Sequence, residues 1–120
     1  MELEKYNDVK HVNMTILLGE IISDVKILDN GRLVTFMIET KSNISGKNKT
    51  ISEKHKIVCF DGLASFVANK IKKGNLVHVI GSNRSKMIVS NAEDKKTISR
   101  DVVATQVSII WKKQQFKSHL

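Results

Sequence analysis

Between Ser52 and Gly74 the chain changes period in the middle of a short stretch, SEKHKIVCFDGLASFVANKIKKG, and that change limits what can be built around it. Its first part alternates strictly: Lys54, Lys56, Val58 and Phe60 share one side of an extended chain, and Glu53, His55, Ile57 and Cys59 share the other. The second side ends apolar, as it must where a strand lies half-buried on a core. The first pairs two ammonium groups with an aromatic ring. Beyond Phe60 the apolar residues Leu63, Phe66, Val67 and Ile71 recur at helical spacing, with Asp61 expected as the cap and Gly74 as the left-handed residue that ends the helix. Strand, tight turn, short helix and new strand therefore follow one another without a linker. A face that combines positive charge with an exposed ring suits a polyanion carrying flat bases.

The remaining segments read as strands and turns. Residues 1–12 are charged and aperiodic and form an expected loose arm. Met14 to Ile22 reads as a buried strand interrupted by Gly19, a residue that marks a bulge or sharp bend inside a strand. Asp29-Asn30-Gly31 is a turn signal, and Leu33 to Thr40 alternates again, so these two runs read as a hairpin. Lys41 to Ile51 carries Lys41, Lys47 and Lys49 among Ser, Asn and Gly, as a mobile loop or the tip of a long hairpin would. Asn75 to Ile80 is a short strand ending at Gly81. Ser82 to Val89 continues it with Arg84, Lys86 and Ile88 on one side. Asn91 to Thr97 is a polar turn, Ile98 to Ile110 the last strand, and 112–120 a short basic tail.

A chain of 120 residues supplies one core, so a single domain is expected over 13–111. The formal net charge of +8 favours an acidic partner, nucleic acid ahead of an anionic membrane. The single cysteine, Cys59, excludes an internal disulfide, fits a reducing compartment and is expected to act as a small core hydrophobe. No apolar run has the length of a membrane span, and the polar, acidic N-terminus is unlike a signal peptide. The compartment expected is therefore cytoplasmic, or an organelle matrix if an import sequence has been removed. Four scattered histidines and the one cysteine have no metal-ligand spacing, and no activated nucleophile, acid–base pair or glycine-rich phosphate loop is visible. Neither an enzyme nor a cofactor is expected.

Five or so strands with one helix between the third and fourth fit an all-β, five-stranded Greek-key barrel of the OB type, against an SH3-like barrel or a generic sandwich. The sequence also resembles the bacterial single-stranded DNA-binding protein family, from about Asn13 to Ile110. NMTILLGEIISDV resembles the family's opening N-x-V-x-L-I-G-x-L-x-x-D-P, with Val25 in place of the proline. Asn30-Gly31 through Phe36 resembles its G-x-x-V-x-x-F strand, with one residue fewer between Val34 and Phe36. EKHKIVCFDGLASFVANKIKKGNLVHVIG resembles the diagnostic block that begins E-W-H, keeping His55, Phe60, Leu63, Ala64, Lys73, Gly74, Val77 and Gly81 in register. RDVVATQVSII resembles the closing T-E-V-V-A strand.

The resemblance implies the OB fold, single-stranded DNA as ligand, and a homotetramer, with a homodimer second. It implies phosphate contacts at Lys56, Lys73, Arg84 and Lys86, a stacking ring at Phe60, and His55 at a subunit contact. Lys54 joins the cationic face by alternation, Ile88 stands where the family has a ring, and Lys41, Lys47 and Lys49 are the weaker candidates of the loop. The departures concern stacking: Lys54 replaces the tryptophan of E-W-H, no ring lies near Asn43, and Ile88 is aliphatic. The family's glycine-rich, acidic-tipped tail has no counterpart in WKKQQFKSHL, so recruitment of replication or repair proteins through such a tail is not expected. The expected function is coating of single strands in replication, recombination or repair. The rivals are a tailless primosomal-type dimer that recruits a helicase and a paralogue that keeps the fold with little DNA binding.

Overall fold

The computed structural model describes residues 10–44, 46, 48–90 and 95–112. The arm over 1–9, Lys47 and the tail from 113 lie outside them. Six strands form one sheet: β1 (Thr15–Ile21), β2 (Lys26–Leu28), β3 (Leu33–Asn43), β4 (Thr50–Phe60), β5 (Leu76–Ser90) and β6 (Lys95–Trp111), with the helix α1 (Asp61–Lys70) between β4 and β5. Their order is β1-β5-β6-β4-β3-β2, and a second pairing of β1 with β3 closes the ring. Five strands thus make the barrel, β2 is a short ribbon added outside β3, and α1 follows the third barrel strand. This is the expected OB arrangement.

The helical and alternating periods fall where the sequence places them, with four corrections. Met14 to Ile22 is buried on alternate residues only: Ile21 is fully buried, but Ile16 and Leu18 point outward and are more than half exposed. The hairpin around Asp29-Asn30-Gly31 joins β2 to β3, not β1 to β3; β1 meets β3 only at Glu20↔Glu39 and Ile21↔Ile38 and pairs with β5 along most of its length. Asp61 makes no side-chain cap and instead adopts φ +52 as the first helical residue, its N–H donating to the Arg32 carbonyl at 2.9 Å. The helix ends at Lys70, before Gly74, because Ile71 turns extended to enter the core, where it is 2% exposed. Gly74 (φ +94) belongs to the following turn, which docks on β1 through its N–H and the Ile21 carbonyl at 2.8 Å.

Two glycines let the barrel close. A Cβ at Gly19 would stand 2.5 Å from the Glu39 carbonyl oxygen where β1 crosses β3, and one at Gly81 would overlap that of Val103. Gly81 lies at a register shift between β5 and β6, a bulge that bends the long strand out of the barrel. The core is aliphatic with one ring, Phe36 (2% exposed), packed among Ile21, Val34, Ile38, Ile57, Val67 and Val79.

Cys59 is fully buried within it, and burial pushes its thiol up to about 12. Alkylation by iodoacetamide at neutral pH should therefore proceed only on unfolding, and labelling at the native-state rate of a free thiol would contradict this. A raised folded value also means that stability falls as pH rises from about 9, where the unfolded chain's thiol releases its proton, toward 12.

Candidate nucleic-acid interface

The registers of the strands assign every outward side chain a neighbour, since partners across a ladder point to the same face. One surface spans β2, β3, β4, β6 and β5. At its lower edge Phe60 faces Leu33, which faces Leu28. Next comes Lys26, Thr35, Val58, Val103 and Ser82 in a row across all five strands. Above it lie Met37, Lys56, Asp101 and Arg84. Glu39 with Lys54, and Lys86 with Ser99, form the next level; Lys41 with Ser52, and Ile88 with Thr97, the one after.

Small residues in the second row make a floor. Thr35 and Val58 are 8% and 7% exposed although they point outward, while Phe60 on one side is 50% exposed. The surface is thus a trough, walled by a ring along one side and by Lys56 and Arg84 along the other. A hollow of about 230 Å³ between Lys26, Asp24, Thr35, Met37 and Lys56 continues it toward β2. A ring over a shallow floor beside fixed cations can take a base flat and its phosphate at the rim.

Above the trough β4 and β6, paired in parallel only at Lys56↔Asp101, Ile57↔Val102 and Val58↔Val103, separate into two arms. The β3–β4 arm keeps its ladder to Asn43↔Thr50, with the Ile44 N–H donating to the Lys49 carbonyl at 3.2 Å, so the two strands form a long hairpin up to the described ends of the lysine-rich loop. A cleft of about 470 Å³ opens at the fork between Glu53, Lys54, His55, Asn83 and Arg100.

The register thus brings Lys54, Lys56, Phe60, Arg84, Lys86, Ile88 and Lys41 to one continuous surface, all exposed. Lys49 extends it at the exposed tip. Lys73 does not join the surface: it follows the helix in the turn beside Glu20, Ile21 and Ile22. His55 faces the opposite side of the arm, across from Ile38, with its Nε2 2.9 Å from Thr40 Oγ1. Trp111 is 55% exposed at the end of β6, opposite Leu76.

Besides Asp24 at the hollow, Asp101 and Glu39 share the cationic surface, and linear reading missed both in that place. Asp101 Oδ2 lies 4.0 Å from Lys56 Nζ. Glu39 lies 3.8 Å from Lys41 Nζ and accepts a hydrogen bond from Ser52 Oγ at 2.7 Å. Alternation along β6 could have put Asp101 on the side of Val103, but not beside Lys56.

The model of the single-strand binding protein family matches residues 12–110, nearly the whole barrel. The chain belongs to the single-strand binding protein family. That membership makes it a single-stranded DNA-binding protein, of a family that is non-enzymatic. Its relatives include single-stranded DNA-binding protein 1 of Xylella fastidiosa (strain 9a5c), 28% identical over 110 residues that cover 86% of this chain and 80% of that one. Among solved structures it is similar to the Plasmodium falciparum SSB in complex with ssDNA, with TM-score 0.74, 22% identity and coverage of 86% of this chain and 98% of that one. It is also similar to a mitochondrial single-stranded DNA binding protein of S. cerevisiae, with TM-score 0.68, 16% identity and coverage of 85% and 98%. At these identities the structural likenesses speak for the fold. The sequence resemblance implies rings at the positions of Lys54 and Ile88, where this chain has none. Among the described residues of the trough, Phe60 is the one aromatic side chain.

Proposed function

We propose that the protein coats single-stranded DNA through the trough, without catalysing a reaction, in replication, recombination or repair. The observation that carries this is the wall-and-floor geometry: an exposed Phe60 beside a floor of small residues, with Lys56 and Arg84 opposite. Bases would stack on Phe60, and phosphates would follow Lys54, Lys56, Arg84 and Lys86 up the fork, with Lys41, Lys49 and Ile88 at the arms; Lys47, a candidate from the sequence, lies outside the described residues. Lys73, off this surface, would meet only a strand that passes around the barrel. A bacterial cytoplasm or an organelle matrix suits such work, and no helix among the described residues is long and apolar enough to cross a membrane.

The protein would act as a homo-oligomer, a tetramer ahead of a dimer. Support comes from β1. Its outward residues Ile16 and Leu18 are 59% and 53% exposed, Met14 just before it is 63% exposed, and its edge is free of β3 before Glu20. Ile80 and Leu76 on β5 and Trp111 on β6 continue that apolar face. An apolar, unpaired edge is the kind that a second copy covers. His55 lies on a different surface, and a tetramer of dihedral symmetry needs a second interface.

Titration of labelled oligo(dT) against salt tests the reading. Each phosphate neutralised on a single strand contributes a slope of about −0.7 in log K against log salt, so three to four working cations predict a slope between roughly −2 and −3 per protomer. Lys54→Trp should tighten binding at moderate salt by up to roughly 1–3 kcal/mol, the worth of one stacked base. It should also make the slope shallower by about 0.7, since one phosphate partner is gone. A mutant with unchanged affinity and slope would place Lys54 away from the strand. No binding by the unmodified protein at low salt would favour the DNA-free paralogue instead.

A further inference from the structure

Asp101 occupies the middle strand of the cationic row, with Lys56 beside it on β4 and Arg84 beside it on β5. Its side chain is 17% exposed against 47% for Lys56, so the ammonium reaches down to a carboxylate seated low in the wall, 4.0 Å away. Ser99 Oγ stands 3.5 Å from the other carboxylate oxygen and steadies it from the next level. An ion pair with so exposed a lysine adds little to the fold, so stability does not account for the placement.

Resting on the interface proposed above, we infer that Asp101 is an internal competitor of the DNA phosphates. It occupies Lys56 in the free protein and repels the phosphate that Lys56 and Arg84 would otherwise share. A phosphate arriving at this level must take Lys56 from the carboxylate and remain beside a negative charge. Two of the row's outward groups are cations, yet they present less than two charges to the strand. Asp101 thereby sets the affinity of the trough below what its lysines and arginine alone would give, and it shortens the residence of the strand. Such a residue keeps a coating protein removable. It also explains why a carboxylate stands between two outward cations in the wall of a DNA surface.

The test measures oligo(dT) binding and its salt slope for Asp101→Asn, with Asp101→Ser as a second variant that offers no amide to the strand. Both should bind roughly three- to ten-fold more tightly than the unmodified protein at moderate salt, the size expected for removing one like charge from a solvated contact. Both slopes should steepen by about 0.7 as Lys56 becomes a full phosphate partner. The change should appear chiefly in a slower dissociation rate. Lys56→Met should then weaken binding by a larger factor in the D101N background than in the unmodified one, because the two residues no longer offset each other.

Equal or weaker binding by both variants, or the same factor for Lys56→Met in both backgrounds, would overturn the inference. It would make Asp101 a residue that merely positions Lys56. Melting curves accompany the titrations, and loss of the folded state in both variants would make Asp101 structural and also overturn it. The unmodified protein separates this from the interface reading. Salt-dependent binding by it with no gain in the variants defeats the inference alone, whereas no binding by any of them defeats both.

Discussion

Phe60→Ala should weaken single-stranded DNA binding by roughly 1–3 kcal/mol while leaving stability within about 1 kcal/mol of the unmodified protein. The ring is half exposed on the trough wall, packs beside Leu33 and Leu28, and lies outside the core cluster. Its removal therefore opens no cavity. Phe36→Ala supplies the contrast, because that ring lies on the next strand at 2% exposure, pointing the other way. It should cost about 3–5 kcal/mol of stability, a fall in melting temperature of roughly 10 °C or more, with little change in binding by the fraction that remains folded. One melting curve and one binding curve on each mutant decide. If Phe60→Ala melts like a core mutant and binds normally, the trough is not where bases stack.

Leu18→Glu should have the largest effect on assembly. Leu18 points outward from β1, 53% exposed, opposite His78 and in line with Ile16 and Met14. If a second copy covers this edge, a carboxylate there is buried with only the His78 ring across the ladder, and two-fold symmetry places two such groups in one interface. The cost should reach about 3 kcal/mol or more, over 100-fold in the association constant. Light scattering at micromolar concentration should report an oligomer for the unmodified protein and a 13.5 kDa monomer for the mutant. The fold itself should survive, since the free chain holds Leu18 in solvent. An unmodified protein that is already monomeric, or a mutant that keeps its oligomeric mass, would remove β1 from the interface. A mass that falls from tetramer only to dimer would assign the stronger contact to another surface, with His55 on the next face to test.

By itself the sequence determined what local periodicity can determine. The alternation of Lys54, Lys56, Val58 and Phe60 against Ile57 and Cys59 set the two faces of β4, since the side-chain period of a strand is two and the core accepts one face. The switch to helical spacing after Phe60 located α1, and Gly19 marked a bend at which backbones nearly touch. Local pattern did not say which strand lies beside which. Lys56 and Asp101 are remote in the chain and meet only because β4 and β6 pair in parallel to close the barrel. Likewise the apolar residues of β1 read as buried until the fold left half of them facing out. Lys73, in register with its family by sequence, was carried away from the trough by the turn that docks Gly74 on β1. Periodicity assigns a residue to a face, but its neighbours there follow from core packing and barrel closure, which fix the register between distant strands.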